Sequence, residues 1–132
     1  MASSIPSTHT DLLQKPGFAS LATLNADGSP QVTPVWFDWD GHHVLINTAR
    51  GRVKDRNLQR NPMVALAISD PGNPYRYVGI QGRVTKMSEE GADAHIDKMA
   101  KKYLDKDKYP YRAPGEVRVL VTITPEKVHV VG

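Results

Sequence analysis

The 132-residue chain contains no cysteine. Disulfides, thiolate metal sites and a thiol nucleophile are excluded with it. No apolar run approaches the roughly 20 residues that cross a bilayer, so no stable membrane association is expected. The opening "MASSIPSTHTDLLQKPG" lacks the basic-then-apolar layout of a signal peptide, and a cytoplasmic protein is the expectation. Internal repeats and low-complexity tracts are missing, which fits one compact domain over residues 1–132. No GxSxG motif occurs and no pair of carboxylates stands out; Asp93 and Asp97, four apart on a helix, read as solvated. The histidines lack zinc-site spacing: His42 and His43 alternate across a strand, while His9, His95 and His129 stand alone. No metal is expected, and no acid, base or nucleophile is evident.

What is present is ordinary globular composition, 39% hydrophobic and 23% charged, with a mild net charge of +3. The pattern is dominated by strands. "FASLATLN", the turn "ADGS" and "PQVTPVWFDW" read as a hairpin, and "DWDGHH" turns into "HVLINT", giving three strands in an early antiparallel meander. "MVALAIS" reads as a buried strand. "YRYVGIQGRVTKM" alternates, with Tyr75, Tyr77, Gln81 and Arg83 on one face and Val78, Ile80 and Val84 on the other. "EVRVLVTITPEKVHVV" closes the chain as a strand kinked near Pro125. Short helices are expected at Thr10–Gln14, capped by Ser7 or Thr8, and from about Glu89 to Leu104, capped by Ser88. Hairpin connections point to an antiparallel sheet. About six strands with two or three short helices suggest a mainly β fold closing into a small barrel.

Charge is concentrated in "NTARGRVKDRNLQRNP", where Arg50, Arg52, Lys54, Arg56 and Arg60 face only Asp55. On a helix starting near Gly51, Arg52, Arg56 and Arg60 line one face, and spacing alone is equally compatible with a solvated face. Placement argues for more. The run begins where a strand ends, and a strand passing through a glycine turn into a helix leaves free N–H groups that attract an anion. Cations in that first turn oppose the helix dipole unless an anion lies between them. The segment from Asn47 to Lys54 therefore reads as a phosphate cradle, with Arg as a planar fork and Lys as a point charge. Nucleic acid is disfavoured, because no aromatic residue lies between Trp39 and Tyr75 and no long basic track exists. In "VTPVWFDW", Pro34 removes a ladder donor and marks an edge or bulge. Trp36 offers a flat wall for a planar ring, although most such aromatics simply pack. A phosphate site and an aromatic wall without an acid, base or nucleophile suit an enzyme whose cofactor supplies the chemistry.

Three segments in order, "FASLATLNADGSPQVTPVWF", "GRVKDRNLQRNPMVALAI" and "NPYRYVGIQGRV", together with the ending "VRVLVTITPEKVHV", carry a resemblance. The chain resembles the split β-barrel flavin/deazaflavin oxidoreductases related to pyridoxamine 5′-phosphate oxidase, and within them the small subgroup that uses the deazaflavin coenzyme F-420. The resemblance implies an FMN-binding type of antiparallel split β-barrel and a homodimer with cofactor sites at its interface. It implies that Arg52 and Lys54 hold the cofactor phosphate within a cradle that includes Arg50, with Asn47 and Thr48 lining the path to it. Pro34, Val35 and Trp36 would flank the ring, and Tyr77 and Arg118 would close the site. Arg56 and Arg60 match the motif without needing to touch ligand. The implied activity is hydride transfer from reduced F-420 to an unsaturated small-molecule acceptor, with solvent as proton source. An FMN-binding oxidoreductase and a non-catalytic cofactor carrier are the alternatives.

Overall fold

The computed structural model describes residues 3–132. The elements are α1 (Asp11–Gln14), β1 (Ala19–Leu24), β2 (Pro30–Val35), β3 (Asp38–Trp39), β4 (Val44–Ala49), α2 (Val53–Arg60), β5 (Met63–Asp70), β6 (Asn73–Ser88), α3 (Ala92–Leu104) and β7 (Arg118–Val131). All strands join one seven-stranded antiparallel sheet in the order β2-β1-β5-β6-β7-β4-β3. The fold is therefore mainly β, as expected.

The two edge strands, β2 and β3, are neighbours in sequence, and only Trp36 and Phe37 separate them. Two residues cannot bridge the width of an open sheet. The sheet must curl until its edges approach, which gives a barrel left split between β2 and β3. This corrects the expected early meander. β1 and β2 do form a hairpin, and β3 and β4 form the second one across "DWDGHH", but β2 and β3 are not one strand and the other neighbour of β4 is β7. The stretch expected as one strand, "PQVTPVWFDW", breaks because Phe37 leaves the sheet and is wholly buried in the core. Pro34 sits on an edge strand, where its missing N–H costs no ladder bond.

Apolar alternation drives the rest. Val64, Leu66 and Ile68 of β5 are buried, whereas Met63, Ala65 and Ala67 are exposed, so this strand is covered on one face and not on both. Val78 and Ile80 of β6 point inward and Gln81 and Arg83 outward, as their pattern dictates. The core is completed by Leu21, Phe37, Ile46 and Ile123, with Leu12 and Leu13 of α1 plugging one end. Opposite Pro125 the β6–β7 register shifts at Gln81/Gly82. There a Cβ on Gly82 would lie 2.9 Å from the Thr124 carbonyl oxygen, so glycine permits the close approach of the two strands.

Two expected caps are absent. The cap of α1 is Thr10, without a side-chain cap bond, while the Thr8 hydroxyl pairs with His9. Ser88 ends β6, and α3 starts after Gly91, whose left-handed backbone (φ 81°) makes the corner. The buried face of α3, His95, Ile96, Met99 and Ala100, packs on β4 and β7.

Candidate functional site

The basic run lies where β4 hands over to α2. Gly51 has φ 88°, which bends the chain out of the strand, and Arg52 is the extended residue at the helix N-cap. Asp55, 1% exposed, organises the turn. Its carboxylate accepts from the Gly51 N–H at 2.9 Å and from Arg50 Nη1 at 3.0 Å, and the Gln59 amide donates to it as well. A carboxylate reaching back from the first turn satisfies an orphan N–H and complements the helix dipole. It also takes Arg50 away from the cleft: that guanidinium lies between Asp55 and Glu89, with Nε 2.9 Å from Glu89.

Arg52 and Lys54 instead meet Arg118 of β7 in a cleft of about 220 Å³. Arg118 is 3% exposed and held on three sides. Its Nε donates to Asn47 Oδ1 at 2.9 Å, its Nη1 donates to Glu116 at 3.0 Å, and its guanidinium carbon lies 5.1 Å from the Tyr109 ring centroid. The same Glu116 oxygen accepts from Arg52 at 3.2 Å. Lys54 has no such relief: among the described residues no carboxylate pairs with its ammonium. Burial, followed by the charges of Arg52 and Arg118, holds its pKa below 10.5. Two guanidiniums and a partly buried, unneutralised ammonium thus share one small cleft.

The opposite wall is aromatic. Trp36 stacks on Tyr103, with 4.9 Å between centroids, and Tyr109 meets its edge at 6.1 Å. Tyr111 adds an edge contact to Tyr109 at 5.7 Å. The loop carrying both tyrosines is fastened to α3: the Tyr109 N–H donates to Asp97 at 2.9 Å, and Arg112 pairs with Asp93 and Asp97. Asp93 and Asp97, expected to be merely solvated, therefore fix this loop over the cleft.

Of the residues singled out in the sequence, Pro34, Val35, Trp36, Asn47, Arg52, Lys54 and Arg118 line the cleft together. Thr48 does not. It is 1% exposed, lies on the opposite strand face to Asn47, and its hydroxyl has no hydrogen-bond partner among the described residues. Arg50 is turned outward by Asp55, and Tyr77 sits on β6 between Ser69 and Val131, its ring 6.2 Å from that of His129. Arg56 and Arg60 are exposed on the outer face of α2. Tyr109 and Tyr111 also line the cleft, from the loop "DKDKYPYRAPG", whose place in the fold is not legible in the sequence. Their alternation about Pro110 in "KYPYR" was the available signal.

A family model described as pyridoxamine 5′-phosphate oxidase matches residues 5–132. The chain belongs to the pyridoxamine 5′-phosphate oxidase family. Its fold is shared with a solved F420 reductase, 33% identical, with a TM-score of 0.84 over 95% of this chain and 98% of that one. A conserved hypothetical protein of Mycobacterium tuberculosis superposes with a TM-score of 0.74 at 21% identity, over 98% of this chain and 86% of that one. HutZ, the haem storage protein of Vibrio cholerae, does so with a TM-score of 0.70 at 17% identity, over 98% and 96%. These last two share the fold. Membership of the pyridoxamine 5′-phosphate oxidase family places the chain among flavin- and deazaflavin-type oxidoreductases and binding proteins. Among the described residues no helix is long and apolar enough to cross a membrane.

Proposed function

We propose that the chain is an F-420-dependent reductase that passes a hydride to an unsaturated small-molecule acceptor. The observation that carries the reading is Lys54, an ammonium without a carboxylate partner among the described residues, beside Arg52 and Arg118. Three cations kept together at an electrostatic cost call for an anion, and a phosphate oxygen set suits two planar forks and a point charge. The likeness to an F420 reductase at 33% identity supports F-420 as the owner of that phosphate. When bound, F-420 supplies the hydride chemistry. The chain's part is to bind and orient: Arg52, Lys54 and Arg118 grip the phosphate, Pro34, Val35 and Trp36 flank the ring, and Tyr109 and Tyr111 limit access of water.

The active form in this reading is a homodimer with the cofactor at its interface. A cleft of about 220 Å³ falls below the roughly 300–1,000 Å³ usual for cofactor-sized ligands, so one protomer supplies part of the site. Val32 and Met63 lie 62% and 53% exposed on the outer sheet face, apolar surface that a second copy would cover.

The test is a binding comparison of F-420, FMN and NADPH on the purified protein, followed by an acceptor screen with reduced F-420. Quenching of F-420 fluorescence that Arg52→Ala and Lys54→Ala weaken is the expected result. A tightly retained yellow flavin would replace the reading with an FMN enzyme. F-420 binding without turnover of any acceptor would replace it with a carrier.

A further inference from the structure

His95 is a buried group beside the cleft to which the cofactor reading gives no task. It lies on α3, 8% exposed. Its Nε2 is 3.2 Å from Asp38 Oδ2, and its Nδ1 is 3.1 Å from the Asn47 amide nitrogen. Asn47 extends the line: its Nδ2 also donates to the Ala92 carbonyl at 2.9 Å, and its Oδ1 accepts from Arg118 Nε at 2.9 Å. Arg118 ends the line inside the cleft.

The donor inventory places each proton. A guanidinium can only donate, so the Asn47 atom facing Arg118 is its carbonyl oxygen. The amide nitrogen then faces Ala92 and His95, and both must accept. His95 Nδ1 is therefore bare, and the neutral ring carries its proton on Nε2, which donates to Asp38. Asp38 is kept ionised. Its pKa lies well below the usual carboxylate range, owing first to the His95 hydrogen bond and further to the Trp39 N–H and Lys98.

We infer that His95 is a pH-sensitive positioning residue, which in its neutral form holds the Asn47 amide so that Arg118 faces the cleft and on protonation releases that hold. A proton on Nδ1 would meet the Asn47 NH₂ group head-on. Rotating the amide to escape would turn the same NH₂ toward Arg118 Nε, which cannot accept. The charged groups facing the ring come from three elements: Asp38 of β3, Lys98 and Lys102 of α3, which both reach Asp38, and Arg118 of β7 behind Asn47.

The consequence has an unusual sign. A positive charge gained beside an anion site ordinarily strengthens anion binding. Here affinity falls as pH drops through the imidazole range, because Arg118 loses its orientation. The anion-affinity part of this inference rests on the cleft being a phosphate site; the hydrogen-bond line does not.

The experiment uses the full chain and ¹⁵N NMR between about pH 8 and pH 5, with sulfate as probe because its charge is constant there. The His95 ring should show the Nε2–H tautomer at the upper end. The Arg118 Nε–H resonance should shift along the titration of His95, and sulfate affinity should fall several-fold over the same interval. In His95→Asn the amide oxygen stands where Nδ1 stood, so the Arg118 signal should stay constant and affinity should hold at its upper value. His95→Gln keeps a donor for Asp38 but no acceptor for Asn47, and should bind weakly throughout. An Arg118 resonance that ignores His95, affinity that rises toward acid, or a wild-type profile in His95→Asn would overturn the inference. Sulfate that binds at no pH, with the Arg118 response intact, would uphold the positioning line and overturn the phosphate-site reading.

Discussion

Trp36 lies flat against Tyr103, ring centroids 4.9 Å apart and planes 18° apart. The stack ties the two-residue link across the barrel split to the last turn of α3. The Tyr103 hydroxyl strengthens the tie by accepting from the Phe37 N–H at 3.2 Å and donating to the Phe37 carbonyl at 3.0 Å. Burial pushes the phenol pKa up, so it stays a donor. Tyr103→Phe keeps the stack and removes both hydrogen bonds; it should cost about 1–2 kcal/mol of stability with F-420 affinity little changed. Tyr103→Leu also frees the indole and should lower affinity by up to about tenfold. Thermal melts and fluorescence titrations of the pair measure this, and equal affinity losses in both variants would defeat the assignment of Trp36 as a ring wall.

On the proposed reading, Lys54 pulls stability and binding in opposite directions. Its pKa is lowered from 10.5 by burial first, then by Arg52 and Arg118. The unfolded chain thus binds this proton better than the folded one, and stability rises with pH up to 10.5, the penalty being fully present below the folded value. Lys54→Met removes the charge and keeps the bulk. It should raise Tm at neutral pH by roughly 2–4 °C, a gain that shrinks in alkali. The same change should weaken F-420 binding by about 10- to 100-fold. A variant that melts lower while binding normally would show that Lys54 is structural.

Much of this arrangement is local and could be read from residue order. Alternation in β6 and β7 reports which face is buried, since neighbouring side chains point oppositely. The Asp-Gly turn specifies the β1–β2 hairpin, and a strand running through Gly51 into a helix accounts for Asn47, Arg52 and Lys54 meeting at one cleft. Pairing of β4 with β7 was not legible, because it depends on Phe37 diving into a core that distant residues build. Nor was the direction of Arg50, which a buried carboxylate one helical turn away decides. Arg118 entered only through the family resemblance, and His95 looked isolated because its partners Asp38 and Asn47 lie on other elements. Side-chain direction at a helix entrance is a tertiary property.

Asp38 governs the acid limit. Its carboxyl pKa is depressed by His95 first, with Trp39 N–H and Lys98 adding to it. A depressed folded pKa gives stability that is present above the ordinary 3.8 and lost as pH falls below it. Asp38→Asn should therefore destabilise the protein at pH 7 by about 3 kcal/mol, since His95 and two lysines lose a buried partner. The variant's stability should also fall less steeply in acid. Urea denaturation at neutral pH and below the carboxylate range checks both, and parallel acid limbs would count against the pairing.

The basic run that stands out in the sequence divides at Gly51. Arg50 braces the turn by pairing with Asp55, which is 1% exposed and keeps the Gly51 N–H and Gln59 when the guanidinium is removed. Arg50→Ala should therefore cost about 1–2 kcal/mol of stability and leave F-420 affinity within about twofold. Arg52 has the reverse profile. Its side chain is 48% exposed and its carboxylate partner is Glu116, so Arg52→Ala should change stability by no more than about 0.5 kcal/mol. It should weaken F-420 binding by about tenfold or more, through loss of one fork on the phosphate. Parallel melts and titrations of the two variants separate a braced loop from a diffuse cationic patch. In a diffuse patch the two arginines would be interchangeable and would lose affinity alike.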